Sequence, residues 1–185
     1  DLVTGVQTCA LPISALYCTR KQNMTFSDDA VATGLGPPSR IWLKFGVVFA
    51  DMDLDSRLDL VVANGHLEND ISKVQKSQSY EQPPQLYWNT GSTRGSEFTK
   101  LDVAQTGADF AKPLVGRGAT TADFDGDGDL DLLLTATGAA PRLLRNDQAL
   151  GRHWLRVRLV GDGQTTNRDG IGAVVSLKVN GVTQK

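Results

Sequence analysis

Two nine-residue acidic segments, residues 51–59 and 123–131, lie 72 positions apart and constrain the fold more than any other feature of the chain. The register extends well beyond them. The same shift lays Phe26 on Phe98, Val31-Ala32 on Val103-Ala104, Gly46 on Gly118, Ala50 on Ala122 and Leu58-Asp59-Leu60 on Leu130-Asp131-Leu132. A chain written twice at such a period folds as stacked copies of one supersecondary unit, because no single copy buries its apolar face alone.

Within each copy the pattern reads strand, acidic loop, strand, turn, strand. Val47-Val48-Phe49 enters the first loop and Leu60-Val61-Val62 leaves it; Ala119-Thr120-Thr121 and Leu132-Leu133-Leu134 do the same in the second. Short apolar runs bounded by Gly and Asp predict strands buried on both faces. Leu86-Tyr87-Trp88-Asn89 and Leu143-Leu144-Arg145-Asn146 supply the next strand of each copy, and Leu16-Tyr17 reads as the tail of an earlier one. Residues 64–85, polar and carrying Pro83-Pro84, read as an excursion loop that the second copy lacks. The expected fold is all-β: a partial β-propeller of about two to two and a half blades over residues 15–150, then a truncated β-rich domain over 151–185. In that last segment residues 153–160 alternate apolar and basic, the pattern of a half-buried strand, and Asn180-Gly181 marks a hairpin turn. Two copies and a part cannot close a ring, so open strand edges and self-association are expected.

Composition narrows the function classes. The chain has 185 residues, 40% of them hydrophobic, and a formal net charge of -2, the make-up of a globular protein with no strongly basic patch for nucleic acid. No apolar run is long enough to span a bilayer. Of the 21 acidic residues 18 are Asp, which favours loops and metal sites over helix interiors. Cys9 and Cys18 are too few for a disulfide framework. Residues 3–13, VTGVQTCALPI, resemble the translation of a sequencing-library index primer, so residues 1–14 are read as an adapter artefact outside the fold. The alternatives are a genuine short strand or a degenerate signal peptide.

The acidic loops carry the chemistry. The second places Asp123, Asp125, Asp127 and Asp131 at positions 1, 3, 5 and 9, with Gly128 at position 6. Hard cations such as Ca²⁺ take 6 to 8 oxygen ligands, and a tight loop can aim alternate residues inward where a glycine permits the turn. Side-chain ligation is assigned to those four aspartates and backbone carbonyl ligation to Asp129, whose own carboxylate is expected to face solvent. An EF-hand is excluded, since position 12 is Leu134 and not a bidentate Glu. The first loop keeps Asp51, Asp53, Asp55 and Asp59, with Arg57 in the place of Asp129. Ser56 replaces the position-6 glycine, which predicts a weaker site.

At these residues the chain resembles the FG-GAP repeats of the VCBS type, whose loop reads Asp-x-Asp-x-Asp-Gly-x-x-Asp before an apolar strand. Residues 39–89 look like the propeller of secreted proteins related to the acidic secreted protein in cartilage. Residues 153–160 with Asn167-Arg168-Asp169-Gly170-Ile171-Gly172-Ala173 are similar to the start of the ASPIC and UnbV domain that follows it. The resemblance implies a secreted or envelope-associated, calcium-stabilised interaction or adhesion module without catalytic residues, binding a protein or carbohydrate partner. Ser56 departs from the family's loop pattern.

Other candidates carry weaker chemistry. His66 and His153 suit turn or packing roles better than catalysis, and no nucleophile elbow or phosphate loop occurs. Trp42, Trp88 and Trp154 are read as core, with sugar stacking as the alternative. Asn23-Met24-Thr25 fits a glycosylation sequon. The functional expectation is a non-enzymatic calcium-stabilised module. A calcium-dependent carbohydrate-binding module, or part of a secreted enzyme whose active site lies elsewhere, are the alternatives.

Overall fold

A computed structural model describes residues 18–20, 25–92, 96–147, 150–179 and 181–184. The readings placed on residues 1–14, Cys9, Leu16-Tyr17 and Asn23-Met24 lie outside them. Eleven strands are defined among the described residues: β1 (Cys18–Arg20), β2 (Phe26–Asp28), β3 (Lys44–Ala50), β4 (Asp59–Asn64), β5 (Gln85–Asn89), β6 (Phe98–Lys100), β7 (Gly116–Ala122), β8 (Asp131–Ala136), β9 (Ala139–Leu144), β10 (Leu177–Val179) and β11 (Val182–Gln184). The helices are single turns, α1 (Gly36–Ser39), α2 (Ile71–Val74), α3 (Val103–Thr106) and α4 (Ala108–Ala111). None is long and apolar enough to cross a membrane. Every sheet is antiparallel, and the all-β, blade-like fold expected from the repeat is the fold observed.

The chain divides into two compact units, the first extending to Trp154 and the second spanning Leu155–Lys185. In the first unit β3-β4-β5-β6 form a four-stranded meander and β7-β8-β9 a three-stranded one. The repeat is structural as well as textual. The bounds of β2, β3 and β4 become those of β6, β7 and β8 on adding 72, and the register slip at Lys44/Gly46 recurs at Gly116/Gly118. Because Phe98 lies on β6, the outermost strand of the first sheet, the repeated text begins one strand before the blade it encodes.

Strand β4, with Val61-Val62-Ala63 at its centre, is buried along its whole length and separates two cores. On one face Leu60 and Val62 pack with Tyr87, Phe98, Ala30 and Leu35. On the other Val61 and Ala63 meet Phe110, Leu114, Leu132 and Leu134, which joins the first sheet to the second. Alternation along a strand gives each sheet two faces, and a blade between neighbours needs both apolar. The second sheet is less enclosed than expected. β7 is mostly half-buried and β9 half-buried to exposed, because the face away from the first sheet has no apolar layer over it among the described residues.

The innermost strands β3 and β7 lie side by side without sharing a ladder. A β-carbon on Gly46 would fall 2.4 Å from the Ala119 nitrogen and 2.5 Å from the Gly118 carbonyl carbon, so the two backbones approach as only glycine allows. The segment 64–85 is more ordered than an excursion loop. It contains α2, bridges Gly65 to Glu81 and Gln82 to Leu114, and buries Gln82 and Gln85. Their amides replace a ladder: Gln82 Oε1 accepts from Leu43 N at 2.8 Å and Gln85 Nε2 donates to the Pro38 carbonyl at 3.0 Å. In the second sheet a two-residue turn at Thr137-Gly138 does the equivalent work, closing Ala136 onto Ala139.

In the second unit β10 and β11 form the expected hairpin, with Val179 opposite Val182. Residues 153–160 are not the predicted strand. They carry no ladder and are exposed throughout, since alternation makes a strand only where a partner offers its free N–H and C=O groups.

The acidic loops as a candidate metal centre

Each acidic loop joins the two central strands of its sheet, β3 to β4 and β7 to β8, and is tied shut by its last aspartate. Asp59 Oδ2 accepts from Met52 N at 3.0 Å and its Oδ1 from Asn89 N at 2.8 Å. Asp131 repeats this with Phe124 N and Asn146 N, both at 2.8 Å. The carboxylate thus fastens the start of the loop to the end of the third strand. Asn89 and Asn146 complete the clamp by donating to the Leu58 and Leu130 carbonyls, and Asn146 reaches across to Met52 O at 2.7 Å in the other loop. Their part in the site was not read from the sequence. The available sign was an Asn ending the same apolar strand in both copies.

The first aspartate organises the turn. Asp51 accepts from the Asp55 and Ser56 nitrogens at 2.9 and 2.7 Å, and Asp123 from Gly126 N at 2.7 Å. Two positions in each loop take left-handed backbone, not one. Gly126 and Gly128 have φ of 83° and 102°, and Leu54 and Ser56 have 58° and 70°. The position-6 expectation is correct, and position 4 was missed. A non-glycine residue in that region costs on the order of 1 kcal/mol, so the first loop stores strain that the second avoids.

Of the predicted ligands the structure draws three from each loop together. Carboxylate oxygens of Asp51, Asp53 and Asp59 lie within 4.8 Å of one another, as do those of Asp123, Asp125 and Asp131. Two oxygens bound to one Ca²⁺ at about 2.3 to 2.6 Å can be at most about 5 Å apart, so both triads match that ion's size and hard-oxygen preference. Asp55 and Asp127 sit beside these triads. Asp55 pairs with the guanidinium of Arg57, which also donates to the Asn89 carbonyl at 3.0 Å. Asp127 hydrogen-bonds through its side chain to Asp129, which holds it below the usual carboxylate range.

Asp129 does not face solvent as expected. It is 6% exposed, beneath Leu54, Arg152 and Trp154, and its Oδ1 is buried without a hydrogen-bond partner. Burial, then the neighbouring Asp127, push its carboxyl up to about 6. Asp59 is likewise raised to about 6, mainly by burial, against the lowering effect of its two backbone donors. Buried carboxylates with this few counter-charges are costly, and a divalent cation removes that cost.

The protein places cations of its own near both loops. At the first, Arg152 Nη1 lies 2.8 Å from Asp53 Oδ1 and 3.7 Å from Asp55 Oδ2, in addition to Arg57. At the second, Arg145 Nε is 3.9 Å from Asp125 Oδ2. Two of the three tryptophans read as core lie against the loops instead. Trp88 Nε1 donates to Asp53 Oδ2 at 3.0 Å, and the Trp154 indole lies directly on Gly128, where a β-carbon would be 1.8 Å from Nε1. Trp42 is half-buried. His66 has the turn role expected, its Nδ1 accepting from Glu68 N at 3.0 Å.

Antiparallel blades whose central hairpins close on aspartate loops define a class of β-sheet repeat protein. In agreement, the family model of the FG-GAP-like repeat matches residues 74–134, which run from α2 through the outer strands of the first sheet to the second acidic loop and β8. The match covers roughly a third of the chain. No curated protein matches it.

Proposed function

We propose that both acidic loops bind Ca²⁺ and that the ion locks the hairpins of neighbouring blades in an extracellular, non-catalytic interaction module. The observation that carries this reading is the recurrence of one carboxylate triad, at calcium-sized separations, at repeat-equivalent positions of two sheets. Asp51, Asp53 and Asp59 would hold the ion in the first loop, and Asp123, Asp125 and Asp131 in the second, with the Asp55, Asp127, Arg57 and Asp129 positions completing the shells. Such loops work at the millimolar calcium of extracellular fluids even when affinity is modest. That chemistry and the FG-GAP-like match support a secreted or envelope location. Residues 151–185 are read as the start of an ASPIC and UnbV domain.

The carboxylates are poor candidates for acid/base catalysis. Asp51, Asp59, Asp123, Asp125 and Asp131 accept from backbone N–H groups and Asp53 from the Trp88 indole, and a bound cation would fix them in the charged form. The exposed Trp154 beside Asp127 and Asp129 favours the carbohydrate alternative, but the cavity there is about 150 Å³, below the roughly 300 Å³ of ordinary small-ligand sites. Calorimetric titration of the whole chain with Ca²⁺ tests the proposal. Two binding events lost in Asp125→Asn and Asp53→Asn respectively are expected, and absence of binding at millimolar Ca²⁺ overturns it.

A further inference from the structure

Asn146 belongs to the clamp of the second loop, yet its shorter side-chain bond leaves that loop. Its backbone N donates to Asp131 Oδ1 at 2.8 Å and its Nδ2 to the Leu130 carbonyl at 3.3 Å, while the same Nδ2 donates to the Met52 carbonyl of the first loop at 2.7 Å. Met52 carries the connection on, its N donating to Asp59 Oδ2 at 3.0 Å. Asp131, Asn146, Met52 and Asp59 thus form one chain of hydrogen bonds, from a proposed ligand of the second loop to a proposed ligand of the first.

The surroundings make this chain of bonds stiff. Asp131 is 1% exposed and Asp59 2%, so neither carboxylate can exchange its backbone donor for water unless its loop opens. The Met52 side chain packs against the core of Val61, Phe110 and Leu132 that joins the two sheets, and packed interiors deform little. Against the bonds stands the crowding of charge. Three carboxylates of each loop have oxygens within 4.8 Å of one another, and Asp129 of the second loop, 6% exposed, has an oxygen without a hydrogen-bond partner. Like charges this close push a loop open, and neutralising them lets it close on its clamp.

From this geometry we infer that Asn146 couples the two loops, so that filling either one raises the Ca²⁺ affinity of the other. The inference rests on the calcium reading above and deepens it: the pair is one cooperative unit, and Asn146 is the residue that positions Met52 for the first loop. Closing one loop fixes Asn146 and Met52, which also belong to the clamp of the other, so part of the ordering that the other needs is already met. Repulsion between two filled loops acts in the opposite direction and is screened by salt, whereas the hydrogen-bonded bridge is not.

Ca²⁺ titration calorimetry of the whole chain reads the affinity of the first loop in the unaltered protein and in Asp125→Asn, which removes the second site, and again with Asn146→Ala added to each. Loss of the second site is expected to weaken the first about fivefold, the range open to one hydrogen bond, and Asn146→Ala should abolish that dependence. Asn89→Ala, which removes the corresponding bond to the Leu58 carbonyl within the first loop, should leave the dependence in place. A second readout needs no ion in the first loop: in Asp53→Asn the Met52 amide signal in NMR spectra should move as the second loop fills, and stay still once Asn146→Ala is added. If the first loop binds equally well with and without the second site, or if the dependence survives Asn146→Ala, the coupling is refuted and the calcium reading stands. If the unaltered chain does not bind Ca²⁺ at millimolar concentration, the calcium reading fails and the coupling with it. Far-ultraviolet circular dichroism checks that each variant folds, and Asn146→Ser replaces Asn146→Ala where the latter does not.

Discussion

The Arg117 guanidinium carbon lies 4.2 Å from the centroid of the Phe45 ring, and the two residues occupy the same position of the repeat, 72 residues apart. Each sits in the register slip of its innermost strand, between Lys44 and Gly46 or between Gly116 and Gly118. The slip turns the side chain out of the ladder, and where two blades adjoin the turned-out residues meet. Arg117 also donates to the Gly65, Gly116 and His66 carbonyls, at 3.2, 2.7 and 3.0 Å, so it ties the blades by charge as well as by stacking.

Replacing Arg117 with Ala should therefore lower unfolding stability by about 2 kcal/mol, and Phe45→Leu by about 1 kcal/mol. Urea unfolding of the two single variants and the double variant closes a cycle, in which a coupling of about 0.5 to 1 kcal/mol is expected. Strict additivity would show that the stacking contributes nothing.

Gly46→Ala tests the close approach of β3 and β7. The added methyl meets backbone atoms at 2.4 to 2.7 Å, and backbone cannot rotate aside as a side chain can. A loss of about 2 to 4 kcal/mol in thermal or urea unfolding is expected. A loss below about 0.5 kcal/mol would mean that the strands are not held this close.

Asp131 and Asp127 separate clamp from ligand. Asp131 is 1% exposed and both its oxygens accept backbone N–H groups. Asp131→Asn turns one acceptor into a donor facing an N–H, and should cost about 2 to 3 kcal/mol even in the presence of chelator. Asp127→Asn, on the exposed part of the loop, should change chelator-treated stability by less than about 0.5 kcal/mol. Equal effects of the two in chelator would remove the clamp role.

The pH response of the metal-free protein follows from Asp59, whose carboxyl is pushed up to about 6 in the fold against an ordinary value near 4. Between those values the folded chain binds the extra proton, so this group makes stability rise as pH falls from about 6 to 4, by up to about 2 kcal/mol. Ca²⁺ reverses the sign, since the ion needs the charged form: binding should release protons near pH 6, and affinity should fall as pH drops below it. Urea midpoints in chelator at pH 4.5 and 7, with Ca²⁺ titrations at the same pH values, check both limbs. Calcium affinity that does not change between them would separate Asp59 from the ion.

Much of this molecule was fixed by local rules that a sequence states openly. The 72-residue period set the bounds of three strands in each copy, because glycine and aspartate recur at the same positions around strand runs of differing sequence. Asp51, Asp53, Asp59 and their counterparts were legible as a cluster, because a tight loop converges alternate side chains whatever surrounds it. The hairpin of β10 and β11 formed where the turn signal stood, for the same local reason.

What residues far apart in the chain do to one another was settled only by the tertiary structure. Asp129 is buried because residues 151–154 cover it, and Trp88 serves the first loop because β5 lies beside β4. Residues 153–160 have the alternation of a strand, yet a ladder needs a partner that alternation cannot specify. Arg152 and Asp53 are 99 residues apart, and no periodicity couples them; their meeting is a property of the packed sheets. Patterns repeated every few residues report backbone geometry, whereas burial and charge pairing depend on which distant surfaces the core brings into contact.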